Sequence, residues 1–298
     1  MLPNFIIVGV SRGGTTTVFN TLSRHPQVLA SSTKETRYFQ PVRYGEPLGP
    51  ISKYEGFFRR HSDQPIAMEC TPDYFYGGER TARVIKQTCD PRVAIILREP
   101  ASRLISFFQF IQGRLQLPAT MTLNEYVTRC VALSPERADT RDGNNYTGLW
   151  GGQYARFLPA WLAAFPDRCD IFFFDDLRID PIGLLGERCR RLGIDPTLLP
   201  ATVPVDNSAP AYRSSGLQHA AAFLARRGSA VLRRYPSVYS RARGGYEAVN
   251  KREAPKVTVP EPLRREIEAL YRPWNDQLRE QLRDIGITEL PRWLAASP

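Results

Sequence analysis

The sequence predicts an α/β protein: a parallel sheet flanked by helices on both faces. Three observations carry the prediction. Short apolar runs, Phe5 to Val8, Ile66 to Cys70, Arg92 to Leu97 and Asp170 to Phe174, recur along the chain. Stretches with helical spacing of apolar residues separate them, the alternation expected of buried parallel strands joined by crossover helices. The first run ends in a basic, glycine-rich turn, Gly9-Val10-Ser11-Arg12-Gly13-Gly14-Thr15-Thr16-Thr17, which opens onto a helical pattern. Such a turn is an anion cradle, because unpaired N–H groups and the dipole at a helix start attract negative charge.

Taken in order, Phe5 to Gly9 is the first strand, and Thr15 to Arg24 a helix with Val18, Phe19 and Leu22 on one face, closed by His25-Pro26. Gln27 to Ala30 reads as a second short strand, followed by the polar loop Ser31 to Thr36. Pro41 to Pro50, with its prolines and glycines, reads as loop. Tyr54 to His61 reads as a short helix, Ile66 to Cys70 as a strand and Gly77 to Thr88 as a helix. Arg92 to Arg98 has the pattern of a buried parallel strand, and Glu99-Pro100 opens a helix with Leu104, Ile105 and Phe108 inward. Leu123 to Leu133 and Leu149 to Phe165 read as helical around a polar loop. Asp170 to Phe174 is a strand and Gly183 to Leu192 a helix. Pro200 to Pro210 is a turn cluster. The last helical pattern puts Leu263, Ile267, Leu270, Trp274, Leu278, Leu282 and Ile285 on one stripe, with a kink expected at Pro273.

With 298 residues the chain can bury a substantial core, as one large α/β domain or two small ones. No apolar run approaches the length of a membrane span and no signal peptide precedes the first strand, so a cytoplasmic protein is expected. Five scattered cysteines without a C-x-x-C pair argue for reduced thiols and against a disulfide scaffold or zinc site. With the histidines equally dispersed, no metal centre is legible. His25, His61 and His219 read as structural. A formal net charge of +10 points to an anionic ligand or surface. Nine Lys or Arg against the single acid Glu247 fall between Arg213 and Arg252. That segment reads as a lid, a surface for an anionic substrate or membrane, or a solvated basic helix pair.

The chemistry-bearing residues gather at predicted strand ends, where open parallel sheets bind ligands. The cradle departs from the Walker pattern, which needs Lys at position 15 where this chain has Thr15. Arg12 brings the charge instead. Arg98, with Ser106 two helical turns on, makes a second basic site beyond its strand, unless Arg98 simply pairs with Glu99. Lys34-Glu35 follows the second strand; a solvated ion pair and a general base aimed at the cradle are both open. Glu69 to Tyr74 ends a third strand at the same edge, either lining an acceptor pocket or turning at Pro72. Tyr38, Phe39, Tyr74, Phe75 and Tyr76 could stack on an acceptor or belong to the core. The irregular stretches 41–53 and 113–150 are candidate walls of that pocket.

Together, the segments Gly9 to Thr16 and Ile96 to Ser106 resemble the two cofactor motifs of sulfotransferases that use 3′-phosphoadenosine 5′-phosphosulfate (PAPS). The basic-Gly-Gly-Thr loop is similar to the heparan-sulfate and carbohydrate branch. Thr33 to Phe39, Glu69 to Phe75, the helix around Trp161 and the Asp175-Asp176-Leu177 segment extend the resemblance over most of residues 4–195. It implies the P-loop NTPase-like sulfotransferase fold, as one domain over 1–298 with a basic helical insertion or lid at about 211–250. It implies Glu35 and Arg12 as catalytic residues, with Arg12, Gly13, Gly14, Thr15 and Thr16 holding the 5′-phosphosulfate. Arg98 and Ser106 would hold the 3′-phosphate, and Lys251 and Arg252 would belong to a loop closing over the cofactor. Lys34, Glu69, Asp73 and Tyr74 are expected on the acceptor side. Two departures stand out: Arg12 replaces the usual Lys, which is not a neutral exchange at a shared oxygen, and Cys70 stands where the heparan-sulfate enzymes carry Lys.

The implied reaction is in-line transfer of a sulfuryl group to a hydroxyl or amine of a small-molecule or carbohydrate acceptor. Adenosine 3′,5′-bisphosphate leaves, and no metal is needed. A P-loop nucleotide kinase or NTPase is the nearest alternative, weakened by the missing Walker Lys. A non-catalytic polyanion-binding module ranks third, since no nucleic-acid-binding signature is present and no nucleic-acid partner is expected. The acceptor and the oligomeric state are not legible.

Overall fold

The computed structural model describes residues 1–59, 63–203 and 258–295, together with the backbone of two short strands at 210–212 and 251–253. Five strands, β1 (Phe5–Gly9), β2 (Val28–Ala30), β3 (Ile66–Cys70), β4 (Arg92–Leu97) and β5 (Cys169–Phe173), form one sheet in the order β2-β3-β1-β4-β5. Every pairing is parallel. The order follows from the crossovers: α1 (Thr15–Leu22) carries the chain to β2 on one side, and the chain later returns past β1 to add β4 and β5 on the other. The change of direction falls between β1 and β4, so the loops after these two strands diverge and leave a crevice.

The period of two along each strand sorts side chains between two cores. Ile6, Val8, Val93, Ile95, Leu97, Ile171 and Phe173 face one side and pack with α4 (Gly78–Thr88), α8 (Leu158–Ala164) and the C-terminal helix. Phe5, Ile7, Met68, Ala94, Ile96 and Phe172 face the other, against α1 and α10 (Pro181–Leu192). Burial of each of the larger apolar side chains among them stabilises the fold by about 1.5–3 kcal/mol. A third cluster joins α5 (Pro100–Gly113) and α6 (Leu123–Val131) to Ile267 and Tyr271 of the C-terminal helix.

Three sequence expectations are adjusted. Pro41 to Pro50 begins with one helical turn, α2 (Gln40–Arg43), because Pro41 sits at the turn's start, where its missing N–H is not needed. The next helix, α3 (Ile51–Glu55), starts directly after Pro50, earlier than expected, and tightens to a 3₁₀ turn at Gly56–Phe58. Leu149 to Phe165 is a helix only over Leu158–Ala164. Before it, 3₁₀ turns bring Gly151 and Gly152 so close to Arg103 and Tyr271 that no side chain fits.

Two short helices, α7 (Pro135–Ala138) and α9 (Phe174–Ile179), fill connections. The last helix, α11 (Glu261–Asp284), runs unbroken through Pro273 and buries Ile267, Tyr271, Leu278 and Leu282, while Ile285 lies past its end and is exposed. The remaining strands β6 (Pro210–Tyr212) and β7 (Lys251–Glu253) form an antiparallel ribbon whose β6 lies beside α5. His61, His219 and the basic stretch 213–250 lie outside the described residues. All five cysteines are free thiols. Among the described residues no helix is long and apolar enough to cross a membrane.

Candidate functional site

The expected clustering at strand ends is present. β1 runs into the cradle, β2 into Lys34-Glu35, β3 into Thr71-Pro72-Asp73 and β4 into Arg98. The cradle is made by close backbone approach. Gly13 N–H donates to the Val10 carbonyl at 2.9 Å, and Val10 N–H to Ile96 of β4 at 3.2 Å. A Cβ on Gly13 would lie 2.6 Å from the Ile96 carbonyl, so only glycine fits. Gly14, with φ of 90°, adopts the left-handed conformation and begins α1 with no side-chain cap. The first N–H groups of α1 therefore have no partner within the helix, at a cavity that Gly14, Thr15 and Thr16 line.

Arg12 and Arg98 converge. Arg98 Nη1 donates to the Arg12 carbonyl at 2.9 Å, and its guanidinium lies 4.6 Å from the centre of the Phe174 ring. The alternative pairing of Arg98 with Glu99 is not what forms. Glu99 instead caps α5, accepting from Ala101 and Ser102 N–H at 2.9 and 2.7 Å. Burial pulls the Arg98 guanidinium below its ordinary pKa, a cost that a bound anion would offset. Arg12 Nε donates to Ser106 Oγ at 3.0 Å, so residues assigned by sequence to the two ends of a nucleotide touch directly.

Glu35 is held by two cations: Lys34 Nζ lies 3.0 Å from one carboxylate oxygen and Arg37 Nη2 2.9 Å from the other. Burial acts to raise its pKa, but Lys34 and Arg37 outweigh it and hold the carboxyl below the ordinary Glu value. Its backbone N–H donates to Cys70 at 2.9 Å, which fixes this loop to the end of β3. Asp73 behaves in the opposite way: burial and the nearby Glu35 charge raise it, against Arg43, Arg37 and Lys34.

The remaining acceptor-side expectations divide. Asp73 lines a cleft beside the cradle, whereas Glu69 and Tyr74 do not reach it. Glu69 is fully buried and accepts from the hydroxyls of Thr36, Tyr54, Thr71 and Tyr74. This hydroxyl cluster ties the Glu35 loop to β3, so Glu69 and Tyr74 act as framework. Phe39 and Phe75 are core, while Tyr76 lines the cleft. His25 is buried against the Asp195 carbonyl at 2.7 Å, as a structural residue. The side chains of Lys251 and Arg252 lie outside the described residues.

Sequence reasoning missed Arg37, Arg43 and Arg103. Arg103 is only 1% exposed, and among the described residues no carboxylate pairs with it. Its Nη1 reaches the Ser11 carbonyl and the Tyr76 hydroxyl, both at 3.4 Å, from beneath the cradle. The available signal was a charged residue on the apolar face of α5, between Ala101 and Leu104.

Three cavities adjoin. The first lies over the cradle and takes in Arg12, Thr15, Thr16, Lys34, Glu35 and Arg98. The second, about 950 Å³ with its open mouth, shares Ser11, Glu35, Pro72 and Phe110 with the first and extends to Asp73, Arg43 and Arg114. Its far wall comes from Asp139 to Trp150, within the irregular stretch expected to line an acceptor pocket. The third shares Arg98 and Phe174 with the first and is lined by Ser102 and Ser106. Glu35 stands at one junction and Arg98 at the other.

A glycine-rich turn at the switch point of a parallel sheet, with Arg12 and Arg98 converging beside it, gives the chain a P-loop-like α/β architecture. No family model matches the chain. It is 32% identical over 195 residues to human heparan sulfate glucosamine 3-O-sulfotransferase 3B1, covering 65% of this chain and 46% of that one. Identity to the human 3A1 enzyme is also 32%, with 65% and 45% covered. The mouse enzyme 6 is 30% identical over 193 residues. The fold matches the crystal structure of a sulfotransferase from Alicyclobacillus acidocaldarius with a TM-score of 0.67, over 98% of this chain and 99% of that one, at 17% identity. The chain is thus similar to heparan sulfate 3-O-sulfotransferases over about two thirds of its own length, and it carries the fold of a solved sulfotransferase. It spans about half the length of the curated relatives it matches.

Proposed function

We propose that the protein is a PAPS-dependent sulfotransferase acting on a hydroxyl or amine of a small-molecule or carbohydrate acceptor. One observation carries the reading: Glu35 stands where the cradle cavity opens into the larger cleft, with Arg98 and Ser106 at the cradle's other end. That order suits a donor with phosphates on both sides of a ribose and an acceptor approaching from the Glu35 side. The residues fit such a donor, because the cradle leaves no room for a Cβ at Gly13 and the start of α1 carries no side-chain cap.

The N–H groups of Gly14, Thr15 and Thr16, with the two threonine hydroxyls, would hold the 5′-phosphate. Arg98 and Ser106 would hold the 3′-phosphate. When bound, the donor supplies an electrophilic sulfur and a bisphosphate leaving group. Glu35 accepts the proton of the attacking hydroxyl or amine at a carboxylate oxygen, a contribution of roughly 10²–10⁴-fold. Lys34 and Arg37 keep that carboxylate ionised and aimed at the junction. Arg12, the start of α1 and the buried Arg103 supply the positive potential that favours charge growing on the leaving side. Their dipoles and charges are already in place, so little reorganisation accompanies the transfer. In the same reading residues 1–298 form one catalytic domain, with Lys251 and Arg252 contributing to the cofactor site.

Titration calorimetry with adenosine 3′,5′-bisphosphate against ATP–Mg²⁺ tests the class. Binding of the bisphosphate without comparable binding of ATP–Mg²⁺ supports the reading; the reverse preference points to a kinase or NTPase and overturns it.

A further inference from the structure

The third cavity has a wall that none of the cofactor motifs contains. Besides Arg98, Ser102 and Ser106, it is lined by Arg178 from α9 and by Arg264 from α11. Arg264 lies more than 160 positions after Arg98 in sequence, in the region where the motif resemblance is thin. No carboxylate lines this cavity among the described residues. A phosphate monoester carries between −1.5 and −2 charges at neutral pH, as a rough guide. Arg98 alone does not balance that charge, and its Nη1 already serves the Arg12 carbonyl.

Arg264 is held in place from two sides. Its Nε donates to Glu268 one turn along α11 at 2.8 Å, and its Nη2 approaches Glu99 at 3.4 Å. Among the described residues Nη1 has no partner. Glu99 is the carboxylate that caps α5, the helix that presents Ser102 and Ser106 to the same cavity. Left unopposed, its negative charge beside the cavity would repel an incoming phosphate. The ion pair with Arg264 cancels that repulsion and keeps a guanidinium facing the cavity. The side chain is 38% exposed, so a ligand can reach it.

On these grounds we infer that Arg264 is a further cofactor-binding residue: the C-terminal helix α11 completes the 3′-phosphate site, through Arg264 anchored on Glu99. The inference rests on the sulfotransferase reading and deepens it. It makes recognition of the 3′-phosphate depend on α11, so the cradle and Arg98 form only part of the donor site.

The experiment is calorimetry on the full chain with adenosine 3′,5′-bisphosphate and adenosine 5′-monophosphate, for the wild type, Arg264→Gln and Arg264→Lys. The expected result is at least 10-fold weaker bisphosphate binding by Arg264→Gln, with the monophosphate changed less than 3-fold, and partial recovery in Arg264→Lys. Unchanged bisphosphate affinity, or equal losses for both nucleotides in a folded variant, overturns the inference while leaving the sulfotransferase reading intact. A wild type that binds no bisphosphate overturns both. Thermal unfolding without ligand separates a misfolded variant, and Glu268→Gln then provides a second probe. Loosening the anchor without removing the guanidinium should weaken the bisphosphate selectively, and a variant equal to wild type in that selectivity counts against the inference.

Discussion

Replacing Gly13 by alanine tests the cradle where its geometry is tightest. The added Cβ would stand 2.6 Å from the Ile96 carbonyl, 2.9 Å from the Val10 carbonyl and 2.9 Å from Val10 Cγ2, against an ordinary contact of 3.4 Å or more. Ile96 belongs to β4, paired with β1 on one side and β5 on the other, so the loop must yield rather than the strand. Going from 2.6 to 3.4 Å asks for a shift of about 0.8 Å. An N–H lying about 2.9 Å from a phosphate oxygen would then sit near 3.7 Å, beyond a hydrogen bond. Loss of two such charge-assisted bonds, at about 1.5–3 kcal/mol each, costs roughly 3 kcal/mol or more. That is upwards of about 100-fold in affinity for adenosine 3′,5′-bisphosphate. Overpacking should also lower folding stability by about 1–3 kcal/mol. Calorimetry and urea denaturation on the same sample read the two effects. An alanine variant with wild-type affinity and wild-type stability would refute the argument that the backbone itself forms the anion site.

Glu35→Gln should bind the bisphosphate normally and lose roughly 10²–10⁴-fold in transfer rate; near-normal turnover would remove Glu35 as the base. The acid limb of kcat/KM should lie below the ordinary Glu pKa of about 4.3, because the ionised form is the active one and two cations favour it. Activity is then complete above that range and falls as the pH drops through the depressed value. Arg37→Gln removes one of the two cations and should move the limb upward; a limb that stays put would mean that Arg37 does not tune Glu35. Tyr54→Phe takes the hydroxyl donor from one oxygen of the buried Glu69 and should cost about 1–3 kcal/mol in stability. Urea denaturation measures this, and an unchanged midpoint would mean that the hydroxyl cluster contributes nothing to the fold.

The parallel-sheet architecture was legible in the sequence, and so was the set of residues expected at the strand ends. Strand periodicity, the glycine-rich turn and Arg98 at a strand end are local features, and local features are legible one segment at a time. Their convergence follows from one rule, that parallel strands deliver their following loops to a single edge. For that reason Gly13, Thr15, Lys34, Glu35 and Arg98 are expected at one crevice from their positions in the sequence alone. The resemblance to the sulfotransferase motifs then gave those residues their expected roles.

Contacts between residues distant in sequence were not legible in it. Glu69 is expected from the sequence on the acceptor side, yet hydroxyls from Thr36, Tyr54, Thr71 and Tyr74 close around it, and no local pattern announces that enclosure. Arg37 reads as one more loop arginine until its guanidinium is seen on Glu35. Arg103 is a charge on an apolar helix face until Ser11 and Tyr76 come into reach above it. Arg264 sits at the far end of the chain, and only the packing of α11 against α5 brings it to the cavity of Arg98 and Ser106. The physical reason is the same in each case. A strand or helix is set by its own period, whereas the charge and hydrogen bonding of a site are set by whatever packing brings near it.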